Sequence, residues 1–140
     1  MSKLAWVVTL AALAVAPAAA QTAIPDLRGT WKGDSESIVL GGGNGHHVAT
    51  QGNEPELRSV PFTLTIDKQD GRRFSGTFAS ARSSSKVVAV VSRGGEILMA
   101  NVQGFTNGTM LAPNRLELCY VKQSPEAQIA SCVELTEQPR

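Results

Sequence analysis

The chain has 140 residues, 42% hydrophobic and 18% charged, with 13 Lys and Arg against 12 Asp and Glu. That length suits one domain and is short for two. A formal net charge of +1, with the basic residues scattered along the chain, gives no electrostatic footprint for nucleic acid or an anionic membrane surface.

The first stretch reads as a leader. Lys3 precedes an apolar run from Leu4 to Val15, and Ala18-Ala19-Ala20 supplies the small residues that signal peptidase accepts. The run is too short to span a bilayer, which takes about 20 apolar residues, and Pro17 closes it. Residues 1–20 are therefore expected to be a secretory signal peptide cleaved before Gln21, residues 21–26 an N-terminal arm, 27–136 a single domain and 137–140 a tail. Cleavage removes Lys3, leaving twelve basic and twelve acidic residues. The expected location is the periplasm or the extracellular space.

After Gln21 no amphipathic helical pattern stands out. Period-two alternation recurs instead, punctuated by Gly, Asn, Asp and Ser, as in all-β sandwiches and barrels. Leu27, Gly29, Trp31 and Gly33 share one face of a first strand, with the Trp face inward. Ser37-Ile38-Val39-Leu40 extends this strand after a bend at Gly33. From Gly41 to Glu56 the chain is Gly-rich and polar, a mobile loop of about 16 residues, long enough to act as a lid or a binding loop.

The second strand, Ser59 to Asp67, alternates cleanly, with Val60, Phe62, Leu64 and Ile66 inward. Asp70-Gly71 makes a tight hairpin into a third strand with Phe74, Gly76 and Phe78 inward. Gly76 between two phenylalanines makes room for a facing ring or lets the strand coil. A Ser-rich loop from Ser80 to Lys86 follows. The next strands, Val87 to Ser92 and Ile97 to Val102, are apolar on both faces, which calls for cover on both. A homodimer through this Val87 to Val102 region is one source of cover; a long loop of the same chain is another, and a tolerated exposed patch is the third reading.

Phe105 to Leu111 forms a sixth strand, Arg115 to Val121 a seventh and Gln128 to Thr136 an eighth. Setting Cys119 opposite Cys132 places Leu116, Leu118 and Tyr120 on the same inner face as Val133 and Leu135, so the cysteine pair and the apolar pattern choose the same register. The same register sets Glu117 opposite Glu134. A disulfide fits an exported chain, and two thiolates without a nearby His make a poor zinc site. Eight strands with short connections predict an antiparallel up-and-down β-barrel, closed by its last strand on its first.

Leu27-Arg28-Gly29-Thr30-Trp31 resembles the Gly-x-Trp opening of the calycin superfamily, the lipocalins, avidins and their relatives. The resemblance implies an eight-stranded barrel whose first strand opens with Gly29 and Trp31. The chain lacks the further tryptophans of avidin-type biotin pockets. It is also similar in size, single disulfide and Gly-x-Trp opening to small periplasmic inhibitors of metalloproteases. That similarity implies a protein-binding role through loops and an N-terminal arm, here Gln21 to Pro25.

Chemistry-bearing residues are few. His46 and His47 follow the glycine run and are weak metal candidates, with Asp34, Glu36 or Glu54 as further ligands. The competing expectation is that one imidazole packs at the barrel mouth and the other is solvated. Gly41 to Gly45 lacks the lysine and the helix of a phosphate loop. No nucleophile or paired carboxylates sit in a catalytic context, so no enzyme activity and no cofactor are expected. The function expected is the binding of a small, mainly apolar ligand by Trp31, Phe62, Phe74, Phe78 and Tyr120, with the loop bearing His46 and His47 as a gate. The alternative is a protein–protein module.

Overall fold

The computed structural model describes residues 23–140, so the expected leader lies outside the described residues. Strands run in chain order as β1 (Gly29–Gly41), β2 (Glu56–Arg58), β3 (Pro61–Asp70), β4 (Arg73–Ala79), β5 (Ser84–Val91), β6 (Glu96–Asn101), β7 (Gly104–Ala112), β8 (Arg115–Gln123) and β9 (Ala127–Glu137). β1 pairs antiparallel with both β2 and β3, each strand from β3 to β8 pairs antiparallel with the next, and β9 returns to β1, so the sheet closes as the alternating pattern predicts.

The barrel has eight staves because β2 and β3 share one. β1 pairs through Ser37, Ile38 and Val39 with β2, and through Gly29 to Asp34 with β3. Ser35 spans the break between them: its N–H donates to Val60 O at 2.9 Å and its Oγ accepts from Val60 N at 3.1 Å. β1 runs unbroken through Gly33, where a bend was expected. A Cβ there would lie 1.9 Å from Glu134 O, so the glycine serves close approach of β9. At Gly76 a Cβ would lie 2.0 Å from Thr65 O. Of the two expectations for this residue, strand coiling is therefore the one realised, at a place where the β3–β4 register also shifts, between Ile66 and Lys68.

Inward positions match the alternation. Trp31, Phe62, Leu64, Ile66, Phe74, Val87, Val91, Ile97, Met99, Leu116, Leu118, Val133 and Leu135 form one core. The Ser80 to Lys86 loop is shorter than expected, because Ser84 to Lys86 already pair with Thr77 to Ala79. Cys119 and Cys132 are disulfide-bonded directly across β8 and β9 in the predicted register. Glu117 does face Glu134. The repulsion is relieved by Arg115, whose guanidinium reaches Glu134 Oε1 at 2.6 Å.

The end of the barrel from which β1 starts, the lower end, is sealed by the segment before β1. Leu27 and Trp31 are fully buried, and Trp31 Nε1 donates to Leu27 O at 2.9 Å. Gln69 ties this segment down, its Oε1 accepting from Leu27 N and its Nε2 donating to Pro25 O. The described part of the expected arm is thus bound to the barrel.

Breaking the disulfide in a Cys119→Ser, Cys132→Ser variant is expected to lower unfolding free energy by about 3 kcal/mol, from the loop of 13 residues' separation it closes. Gly76→Val should cost about 1–3 kcal/mol through overpacking against β3. Urea unfolding followed by Trp31 fluorescence measures both.

Candidate functional site

The other end of the barrel, the upper end, differs in chemistry. Along β1 the inward face continues from Trp31 through Gly33 to Ser35, Ser37 and Val39, so the alternation that buries the tryptophan also buries two serines. β9 adds Ser131, which is inward for the same reason. A cluster of buried hydroxyls needs partners, since an unpaired one costs about 1–3 kcal/mol. Ser37 Oγ lies 2.9 Å from Ser35 Oγ and 2.7 Å from Ser131 Oγ.

The Gly-rich segment supplies the remaining partner. It leaves β1 at Gly41 and pinches shut at Thr50, whose N–H donates to Gly41 O at 2.9 Å and whose Oγ1 accepts from Gly41 N at 3.0 Å. Gly41 and Gly43 take positive φ, 86° and 70°, which lets the chain double back over the barrel end. Asn44 then organises a tight turn. Its N–H donates to His47 O at 2.9 Å, and its Oδ1 accepts from the N–H groups of His46 and His47 at 2.9 and 2.7 Å. Both imidazoles consequently point into the barrel.

His47 reaches the serines, with Nε2 2.9 Å from Ser37 Oγ and Nδ1 3.2 Å from Asn44 Oδ1. Asn44 Oδ1 can only accept, so Nδ1 carries the ring hydrogen and Nε2 accepts from the Ser37 hydroxyl. Ser37 then accepts from its two serine neighbours. His46 stands edge-on to Phe62 and Phe78, with ring centroids 5.1 and 5.8 Å away, and those two phenylalanines stack at 4.6 Å. Its Nδ1 is 2.8 Å from Ser80 Oγ, while its buried Nε2 has no hydrogen-bond partner.

The expectation of one packed and one solvated imidazole is therefore corrected: His46 is 5% exposed and His47 3%. Serine, phenylalanine and asparagine side chains surround them. The segment expected to be a mobile gate is fastened to three of its neighbours. Gly42 N donates to Glu126 O at 2.7 Å, Gly45 N to Gln103 Oε1 at 3.3 Å, and Lys122 Nζ to Gly43 O at 3.2 Å. Burial lowers the pKa of both histidines, and for His47 the neighbouring His46 and Arg58 act in the same direction.

The proposed metal partners do not converge. Asp34, Glu36 and Glu54 are exposed, and Glu36 sits on the outer wall opposite Cys132 while the imidazoles lie inside. Among the described residues no group of three His, Cys, Asp or Glu side chains could hold a metal ion. The hydrogen-bond order Ser37, His47, Asn44 matches that of an activated serine. Here, however, the Ser37 oxygen is engaged by two other serines and lies outside the lining of the adjacent cavity.

That cavity measures about 40 Å³ and lies between the lid and Phe62, Phe78, Gln103, Tyr120 and Ser131. The site residues expected from sequence divide accordingly. His46, His47, Phe62, Phe78 and Tyr120 gather at the upper end, whereas Trp31 and Phe74 belong to the core, Trp31 at the closed lower end. Asn44, Ser37 and Ser131 were missed. The signal for the serines was present, because Ser35 and Ser37 are in phase with Trp31 on an otherwise apolar face.

No family model and no curated protein matches the chain. Among solved structures it is similar to a redesigned β-barrel, with 8% identity over 81% of this chain and 92% of that one, at a TM-score of 0.45.

Ser37→Ala removes the donor to His47 Nε2 and is expected to lower stability by about 1–3 kcal/mol. Glu36→Ala, one residue away but outward, should change it by less than about 0.5 kcal/mol. Equal losses in urea titrations would contradict the buried network.

Proposed function

We propose that the chain is an exported, calycin-like barrel that acts as a protein-binding module through its outer wall, and that its interior carries no apolar ligand. The observation behind this reading is the pairing of a filled bore with an uncovered apolar wall. Small-molecule pockets usually enclose about 300–1,000 Å³, and the hollow beneath the lid is about 40 Å³, which suits water-sized occupants. The first expectation, an apolar guest among the aromatic residues, finds little support in a hollow of that size.

The outer wall has the opposite character. Val88 faces Ala100 across β5 and β6, and Ala100 faces Phe105 across β6 and β7; one step along, Val90 faces Leu98. Val88 is 64% exposed and Phe105 53%, so no loop of the described chain covers the strands that alternate apolar on both faces. A shallow groove of about 890 Å³ runs along this wall, bordered by Asp67, Lys68, Asp70 and Arg73. The row continues around the barrel through Val121, Ala130, Ile38 and Leu57.

A second copy of the chain is the partner that suits this wall. Most of its border charges are paired within the chain, Arg73 with Asp70 and Lys86 with Asp67, which leaves Lys68. A chain of near-zero net charge does not repel its own kind. Export is supported by the leader-like residues 1–20 and is consistent with the disulfide. The Gly29-x-Trp31 opening, with Trp31 sealing one barrel end, supports the calycin-like reading. The reading includes no catalytic step.

Light scattering on a size-exclusion column is expected to show a dimer at concentrations of about 100 µM and above, and a monomer for Phe105→Glu, since a buried unpaired charge costs several kcal/mol. A wild-type monomer throughout that range would refute self-association. Trp31 emission should stay unchanged on adding hydrophobic ligands; a shift would restore the interior-ligand reading.

A further inference from the structure

The lower plug is sealed by Leu27 and Trp31 and tied by the Trp31 indole and the Gln69 amide, neither of which titrates, whereas the upper plug contains both histidines of the chain, side by side and buried. Each is held by neutral groups in a way that a second ring proton disturbs. His47 Nε2 accepts the Ser37 hydroxyl hydrogen, so a proton there forces that hydroxyl to turn toward Ser35 or Ser131, whose own hydrogens already point at it. His46 has only Ser80 on Nδ1, and its Nε2 has no partner. A charged imidazolium would set its positive charge beside the Phe62 and Phe78 rings with no carboxylate among the described residues to pair it.

The groups around the pair offer no compensating anion. β2 brings Arg58, which acts on His47 with the same sign as a proton. The Glu56 carboxylate is taken by Arg58 and by Gln51 N–H. The β4–β5 connection brings Ser80, with Arg82 N–H bonded to its hydroxyl. β8 brings Tyr120, which donates to Gln103 O, and Lys122, which donates to Gly43 O. Glu126 meets the lid through its backbone carbonyl, and β9 contributes Ser131. Asp34, Glu36 and Glu54 lie exposed.

We propose that the segment Gly41–Thr50 is an acid-released plug: protonation of His46 and His47 expels it from the barrel and uncovers the serine cluster and the Phe62–Phe78 stack. The two glycines of positive φ and the pinch at Gly41 and Thr50 give it a hinge, so it can leave as a unit. The sign follows from linkage. The closed lid holds both histidines below their ordinary value of 6.5, so it binds fewer protons than the open lid. Closure is complete above that pH and weakens as pH falls below it. Each proton contributes up to about tenfold per pH unit to the opening constant, and two contribute up to about 100-fold. The device does not depend on the outer wall or on any partner there.

Amide hydrogen exchange of the lid, corrected for the intrinsic pH dependence of exchange, tests this at pH 7.5 and 5.0. Lid protection is expected to fall on acidification, by up to about tenfold per histidine per pH unit below 6.5, while β3 and β4 keep theirs, and a His46→Phe, His47→Gln variant should lose the pH dependence. Equal lid protection at both pH values overturns the proposal. So does simultaneous loss in β3 and β4, which marks global unfolding, or an unchanged response in the variant. Should the double variant fail to fold, imidazole NMR titration of the wild-type protein decides: pKa values below 6.5 for both rings, with lid signals changing in step, support the plug, and ordinary or raised values refute it.

Discussion

Closure of β9 on β1 is the constraint from which the rest of the structure follows. It joins the last strand to the first over nearly the whole length of β1, and it leaves neither strand with a free edge. Eight staves then fix a bore about as wide as the side chains that fill it. To close at that radius the strands must coil, which is why backbone meets backbone at Gly33 and Gly76 with no space for a methyl group. Once the bore is filled, only the two ends and the outer wall remain free to differ from one barrel to another.

The two ends answer the same need with different chemistry. Trp31 and Leu27 seal the lower one with apolar bulk, whose fit does not depend on pH. The upper one is sealed by a chain of hydroxyl and imidazole groups running from Ser131 through Ser37 to His47 and Asn44. Such a network is cohesive while every member is satisfied and costly once one is not. Here each bond specifies its neighbour: the amide oxygen of Asn44 sets the tautomer of His47, and the tautomer sets the direction of the serine hydroxyls. Stability at this end is therefore tied to the protonation of buried side chains, whereas the titrating group at the other, Asp26, lies on the exposed rim.

Much of the fold was legible in the chain because period-two alternation is a local property. Val60 to Ile66 and Phe74 to Phe78 declare their inner faces outright, and the cysteine pair fixes the register of β8 on β9 twice over. The site was less legible. A polar loop has no periodicity, so nothing in Gly41 to Thr50 reveals which way His46 and His47 point; that depends on Asn44 capping their N–H groups and on hydroxyls brought from 94 residues away, Ser131 against Ser37. The inward phase of Ser35 and Ser37 was the one local hint that this end is polar inside. For Val88 and Leu98 the doubled apolar pattern marked a second apolar face, which no loop among the described residues covers, while what lies against it is a property of another surface.

Both ends of the described residues meet at the lower rim. Gln138 N donates to Thr30 O at 2.8 Å, and Arg140 reaches Arg28 O at 2.9 Å beside Asp26. A tether, tag or neighbouring domain attached at Arg140 thus leaves the barrel on the side away from the lid. The described residues have a built-in polarity, with an attachment pole and a free pole, and anything that holds the barrel by its C-terminal residue presents the histidine-bearing pole outward to the surrounding medium.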